Sequence, residues 1–313
     1  MNPEHLKLFV RIAGSHNISQ AGESLGLSPA VASAHMAKLE QELGIRLLHR
    51  TTRQVSLTEE GKIFLPHAEE VLTTIESAKA AVGVGHSTPS GMLRITAPAS
   101  FGRQHLIPAI AAFLRQNPLI RVDFNMSDTI VDLVEGGFDV AIRNAELKDS
   151  SLIARRLTLD KRIVCAAPAY LQQYGEPQTP QALVEHSSVC LRNLETWSFV
   201  HDGKLISVKT HARMRTDNGE AMRDACCEGV GLAINSTWNA YRQLISGELV
   251  QVLKDYPLAT EAAIWAVYPS SRLVPPKVRA FIDFLLEWFG EVPYWDRDLA
   301  LLEQAAGKTS AAK

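Results

Sequence analysis

Two sets of side chains in this 313-residue chain carry chemistry by their type and spacing. The first is Ser28, Pro29, Ala30, Ser33, His35 and Lys38, followed a few residues later by the basic group Arg46, His49, Arg50 and Arg53. Hydroxyls and small apolar groups on one exposed helical face suit the edges of bases, and clustered guanidinium groups suit phosphates. The second set is Ser100, Phe101 and Arg103, then Ser127 and Asp128, then Arg143, then Asn193, Asp217 and Asn218, each where an apolar run gives way to polar residues. Hydroxyls, backbone amides and arginines at such junctions can hold a small organic anion, most simply a carboxylate. Taken singly, each of these residues reads first as a helix cap or a structural pair; it is the cluster that points to a ligand. Phe101, Trp197 and Trp238 are candidates for an aromatic wall, or else for core packing.

Catalytic patterns are missing. The sequence holds no nucleophile elbow, phosphate loop, H-E-x-x-H or triad, so an α/β enzyme is the weaker reading and no cofactor is expected. Cys165, Cys190, Cys226 and Cys227 have no C-x-x-C spacing and no His-rich neighbour, which argues against a metal site. The neighbours Cys226 and Cys227 fall in the helical stretch DACCEG, where a disulfide between them would be strained, so packed thiols are expected.

The elements that must position the first set lie in residues 18–44. Ser19 is placed to cap a short helix that buries Ala21 and Leu25; Gly26 breaks it, and Ser28-Pro29 starts a second helix. There Ala32, Met36, Leu39 and Leu43 form one buried stripe, leaving the candidate reading residues outward. By itself the pattern fits an ordinary helical hairpin as well as a helix-turn-helix. Leu6, Phe9, Val10 and Ala13 supply a covering helix. Two short runs, 46–49 and 54–57, flank the basic tip Arg50-Thr51-Thr52-Arg53 as a wing suited to a phosphate backbone or a minor groove. With that wing attached, the pair of helices favours double-stranded DNA.

The ordered set Leu8-Phe9, Ser19, Ala21, Leu25, Ser28, Ser33, Leu39-Glu40, Leu43-Gly44, Leu47, Arg50, Leu57-Thr58 and Gly61 resembles the N-terminal signature of LysR-type transcriptional regulators. Two departures stand out. Gly22 occupies a position where that family usually repeats Ala, which weakens the first helix by about 0.5–1 kcal/mol unless something compensates. Ala34 stands where many relatives carry Arg, removing one phosphate or base contact. Since the outward face lacks the Arg, Asn or Gln of bidentate base contacts, readout is expected from Ser33 and from Pro29 and Ala30 on thymine methyls. Lys38, Arg50 and Arg53 are then left for phosphates.

Charge is nearly balanced: 32 basic and 34 acidic residues give a formal net charge of −2, so a local patch and avidity, not a bulk basic field, must carry binding. No secretion signal and no long apolar run is present, and the cytoplasm is the expected location. Residues 59–85 read as one long helix whose seam, Phe64, Ala68, Val71, Ile75, Ala78 and Val82, repeats at heptad spacing, with Pro66 producing a mild bend. That seam can pack on its own domain or pair with a second copy. The stretch 86–91 is a hinge.

From Met92 the texture changes to alternating strands and helices: strands at 93–98, 120–127 and 138–144, helices at 105–116 and 129–137, then a second α/β block. This order predicts a parallel sheet with helices on its faces. The expected architecture is multidomain α/β: a winged helix-turn-helix at 1–58 (helix-turn-helix about 18–37, wing about 46–57), a dimerisation helix at 59–85, and a regulatory domain at 92–290. The resemblance implies that this last domain is similar to periplasmic solute-binding proteins. Lobe one would be 92–163 with 265–290 and lobe two 164–264, with the effector between them. It also implies self-association as a dimer of dimers. Residues 291–313 read as a tail with Leu299, Leu301 and Leu302 on a short helix and a disordered end. Asn235-Ser236 at one strand end either adds polar groups to the cleft or caps the next helix. A stand-alone solute-binding protein is the rival reading, but it leaves residues 1–85 without a purpose.

Overall fold

A computed structural model describes residues 1–50, 55–81, 88–129, 133, 136–145, 153–192, 194–269 and 274–310. The chain divides into an N-terminal unit centred on Met1–Met92 and a larger unit holding the remaining sheets.

In the N-terminal unit, α1 (Pro3–Ser15), α2 (Ile18–Glu23) and α3 (Pro29–Leu43) are followed by the hairpin β1 (Leu48–Arg50) and β2 (Val55–Leu57) and the long helix α4 (Glu59–Ala81). Asn17, not Ser19, caps α2: its side chain accepts from the Gln20 N–H at 3.1 Å, because the helix is capped two residues earlier than the sequence suggests. Gly26 turns the corner at φ +71°, and Ser28 caps α3 with Pro29 in its first turn. Leu6, Leu8, Phe9, Ile12, Ala21, Ala32, Met36 and Leu39 form one core, which Ala68, Phe64, Leu65 and Leu72 of α4 join. The first half of the heptad seam is therefore spent on the helix's own domain. Val71 remains exposed, as does Ile63 beside the seam. Val82 lies outside the described residues.

Among the described residues, the larger unit contains two main groups of strands and a separate two-stranded hairpin. The first, built from β3 (Gly91–Ala97), β4 (Ile120–Met126), β5 (Val140–Ala145), β6 (Ile153–Leu159) and β14 (Ala263–Tyr268), has the order β4-β3-β5-β14-β6. It is mixed, not parallel: β3 and β5 run parallel, but β14 returns antiparallel between β5 and β6. A late strand arriving from the other lobe has no crossover helix to reverse it, which is why the local β-α-β reading missed its direction. Helix α5 (Ala99–Phe101), a π-helical stretch Gly102–Leu106 and α6 (Ile107–Gln116) form a continuous helical run after β3, six residues earlier than expected. The helix expected at 129–137 falls largely outside the described residues.

The second group joins β7 (Arg162–Ala166), β8 (Ser187–Leu191), β11 (His211–Thr216), β12 (Ala233–Ser236) and β13 (Val250–Val252). Pairings β12-β7-β13 and β11-β8 are linked by a bridge between Ser188 and Leu232. Helices α7 (Pro168–Tyr174), α8 (Gly219–Cys227) and α9 (Thr237–Ser246) and the hairpin β9 (Thr196–His201) with β10 (Lys204–Lys209) complete this lobe. The chain passes between sheets after Leu159 and again before Ala263, where the Asp160 N–H donates to the Ala262 carbonyl at 3.0 Å. Both crossings sit a few residues before the expected 163/164 and 264/265. Helix α10 (Pro276–Phe289) follows, and the supposed tail is a 17-residue helix, α11 (Tyr294–Ser310). Trp295 is fully buried and α11 packs along α9, so the first turn of this helix is part of the core, while Leu301 and Leu302 further along are exposed.

Candidate functional site

On α3 the outward face forms as the spacing demands. Ser28, Pro29, Ala30, Ala34, Ala37 and Lys38 are exposed and Ser33 is half-exposed. The Ser28 hydroxyl accepts from the Val31 N–H at 3.4 Å, so it caps the helix while its own proton stays free to donate. Val31 is exposed beside Pro29 and Ala30 and enlarges the apolar patch. His35 does not project with this face. Its ring lies on that of His5, centroids 4.6 Å apart, at the α1–α3 contact, and burial together with His35 lowers the pKa of His5. One step along the helix turns position 35 by about 100°, toward α1.

The wing is held by two polar side chains. One carboxylate oxygen of Glu40 accepts from the N–H groups of Leu47 and Leu48 at 2.9 and 3.1 Å, tying α3 to β1. The Thr58 hydroxyl donates to the Arg46 carbonyl at 2.8 Å and accepts from the Gly61 N–H at 2.9 Å. A Cβ on Gly61 would lie 2.2 Å from the Leu47 carbonyl oxygen, so only glycine permits this approach. Arg53 lies outside the described residues, and the structure places Arg50 at the end of β1.

In the larger unit, a cavity of about 480 Å³ opens between the two sheets. Its wall includes Ser100, Asp128, Asn144, Arg162, Thr196, Trp197, Ser198, Asp217, Ser236, Trp238, Asn239 and Thr260. Three of the nominated ligand residues, Ser100, Asp128 and Asp217, reach it, as do two of the three aromatic candidates, Trp197 and Trp238. The other described ones are used elsewhere. Phe101 is fully buried, edge-on to Trp238 and Trp295, since it follows Ser100 by one helical step and faces the core. Arg103 is paired with Glu220 of α8. Arg143 is half-buried one position before Asn144 on β5, and strand alternation gives the cavity to Asn144. Ser127 accepts from the Thr129 N–H at 3.2 Å, and Asn218 caps α8 by accepting from Glu220 and Ala221 at 3.1 and 3.0 Å. Asn193 lies outside the described residues.

The protein thus fills much of the expected anion cradle with its own carboxylates. Asp128 accepts from the Ala99 N–H at 2.9 Å, and Ser100 accepts from the Glu220 N–H at 3.2 Å. What the sequence did not single out is Arg162. Its Nε donates to Asp160 at 2.8 Å and its NH2 group reaches Asn144 at 3.4 Å, placing a guanidinium in the cavity wall at the first crossing between sheets. The only hint was its position directly after a strand boundary. Of Asn235 and Ser236, Ser236 lines the cavity, whereas Asn235 is buried and donates to the Cys165 sulfur at 3.4 Å. The cysteines are packed: Cys226 donates to the Cys165 carbonyl at 3.4 Å, contact with Cys165 and burial push its thiol up, and burial raises the Cys227 pKa to about 11.

Comparison with known proteins agrees at both ends of the chain. The family model described as bacterial regulatory helix-turn-helix protein, lysR family, matches residues 3–62, and that described as LysR substrate binding domain matches residues 86–290. The HTH-type transcriptional activator TtdR of Escherichia coli (strain K12) is 37% identical over 288 residues, covering 90% of this chain and 92% of that protein. The HTH-type transcriptional regulator DmlR of the same strain is 34% identical over 290 residues, covering 91% and 94%. Among solved structures, CrgA, a LysR-type transcriptional regulator from Neisseria meningitidis, is similar with a TM-score of 0.59 at 31% identity, over 92% of this chain and 98% of that one.

Proposed function

The chain belongs to the LysR family of DNA-binding transcriptional regulators with a C-terminal effector domain, and from that premise we propose that its effector is a small organic anion held in the cavity beside Arg162. The observation that carries this reading is the placement of that guanidinium. It faces a cavity whose volume fits a small metabolite and whose remaining wall combines hydroxyls of Ser100, Thr196, Ser198, Ser236 and Thr260 with the indoles of Trp197 and Trp238. A carboxylate of the ligand pairs with Arg162, hydroxyl and amide groups orient it, and its carbon skeleton lies on the indoles. Asp128 and Asp217 in the same wall favour ligand groups that donate hydrogen bonds, so the anion carries donors such as hydroxyls.

On DNA, α3 lies in the major groove with Ser33 and the apolar group Pro29, Ala30 and Val31 toward bases, while Lys38 and the wing arginines Arg50 and Arg53 contact phosphates. The exposed Ile63 and Val71 of α4 support self-association, with two dimers joining into a tetramer that acts on promoter DNA in the cytoplasm. Ligand then shifts the balance between two arrangements of the DNA-binding pairs, in proportion to its differential affinity for them.

Titration calorimetry of the full chain against mono- and dicarboxylates, with and without hydroxyl groups, tests the effector class. Carboxylate binding that Arg162→Gln weakens at least tenfold is the expected result. Binding of uncharged aromatics alone overturns the reading. Sedimentation velocity of the free protein at micromolar concentration tests the tetramer.

A further inference from the structure

The C-terminal helix α11 lies beyond the residues matched by the family models, yet its first turn sits behind the cavity wall. The hydroxyl of Tyr294 and Nδ1 of His105 are 2.6 Å apart, and Nε2 of His105 is 3.0 Å from the Trp238 carbonyl oxygen. A carbonyl only accepts, so Nε2 carries the proton and donates; Nδ1 is then the acceptor, and Tyr294 donates to it. The three groups form a directed relay from α11, through the π-helical stretch of the first lobe, to the first turn of α9 in the second. The extra residue of the π turn, closed by the Ile107 N–H on the Gly102 carbonyl, offsets His105 from the register of a regular helix. Trp295 packs on His105 with ring centroids 4.5 Å apart and on Phe101 and Phe289, holding the imidazole from the other side. Trp238, at the far end, is an indole of the cavity wall.

We propose that Tyr294 and Trp295 are positioning residues of the effector cavity, fixing its Trp238 wall through His105 and so making α11 a working part of the effector domain. Burial supports the relay: His105 is fully buried and its pKa is lowered to about 4, so the neutral, single-tautomer ring that the relay needs is the resting form. The two lobes are joined along the same line, since Gln104 donates to Glu220 at 3.1 Å and to Asn239 at 3.0 Å. A shift of α9 relative to the first lobe on ligand binding must therefore move or break the His105 link, and α11 resists it.

The consequence for effector binding rests on the reading of the cavity given above, but amide hydrogen exchange reads the relay in the full chain without any ligand, so the two fail separately. Three variants are compared: Tyr294→Phe, which removes one hydroxyl; His105→Leu, which removes both bonds; and His105→Gln, whose amide donates at one end and accepts at the other. Exchange in the first turns of α9 should rise about tenfold in the Phe and Leu variants and stay near the parent in the Gln variant, while β7 and β13 of the same lobe are unchanged. Unchanged exchange in Tyr294→Phe, or equal exchange in the Gln and Leu variants, overturns the proposal. Because the Tyr294 hydroxyl also bonds Tyr241 of α9, Tyr241→Phe is the control: its exchange should stay near the parent, and Tyr294→Phe compared with Tyr241→Phe keeps the test decisive even where His105→Leu unfolds.

Discussion

The side-chain amide of Asn218 donates to Oδ2 of Asp128 at 2.9 Å, joining the cap of α8 in one lobe to the turn after β4 in the other. The same Asp128 holds the Ala99 N–H through Oδ1. One carboxylate therefore both fastens the lobes and occupies the backbone site that a ligand anion would use. Asp128→Ala should lower the thermal midpoint of the effector domain by roughly 2–4 °C, as the loss of about 1 kcal/mol does in a domain of this size. The same change should tighten binding of carboxylates that lack hydroxyl groups, because a negative charge leaves the wall, and should narrow the preference for hydroxylated ones, which lose an acceptor. Calorimetry measures both, and an unchanged midpoint with weaker binding would contradict the assignment.

Gly22 shows how a sequence penalty can be a packing requirement. A Cβ there would lie 2.8 Å from the Cβ of Ala32, closer than two methyl groups can approach, and Ala32 cannot swing away. The glycine that weakens α2 lets α2 and α3 cross closely beneath the reading face. Gly22→Ala should therefore destabilise the N-terminal unit by about 1 kcal/mol despite its gain in helix propensity. Combining it with Ala32→Gly should recover most of the loss in urea unfolding. A stabilising single variant would show that the helices part without cost.

For DNA, Lys38 is exposed at the end of the outward face, the position proposed for a phosphate contact. Lys38→Ala should weaken binding to all operators alike and reduce the slope of log affinity against log salt by about one. Ser33→Ala should instead relax the preference at one base position. Gel-shift titrations on a randomised operator at two salt concentrations separate the two, and a changed base preference in Lys38→Ala would refute the phosphate role.

The N-terminal unit was legible because its signals are local. Apolar spacing, the Ser28-Pro29 start and the Gly26 turn each act within a few residues. Where the reading slipped, as with the Asn17 cap or the inward turn of His35, one helical step decided the outcome. The effector domain was harder. Strand ends were visible, but whether Arg143 or Asn144 faces the cavity depends on pleat phase, and Arg103 was lost to Glu220, a partner 117 residues away. Arg162 and the antiparallel return of β14 are set by the chain crossing between lobes, which no local pattern reports. Tyr294 and Trp295 looked like the start of a tail because their partners, His105 and Phe101, lie nearly two hundred residues earlier.

His105 also gives the effector domain a defined pH dependence. Burial, aided by the nearby charge of Arg242 and opposed by the bond to the Trp238 carbonyl, lowers its pKa in the folded chain from 6.5 to about 4. Between those values the unfolded chain binds a proton at this residue and the native one does not. Stability therefore rises with pH across this window and is lost as pH falls from about 6.5 toward about 4, by at most ~1.4 kcal/mol per pH unit. The buried carboxyl of Asp296, whose pKa burial raises, works in the opposite sense, so the total slope alone is not diagnostic. The difference between the parent and His105→Gln is diagnostic, because glutamine keeps both hydrogen bonds and does not titrate. Urea midpoints at pH 7.0 should nearly coincide, and at pH 5.0 the Gln variant should be the more stable of the two. Equal acid sensitivity would mean that His105 is protonated in the native protein at the lower pH, with Tyr294 no longer donating to it.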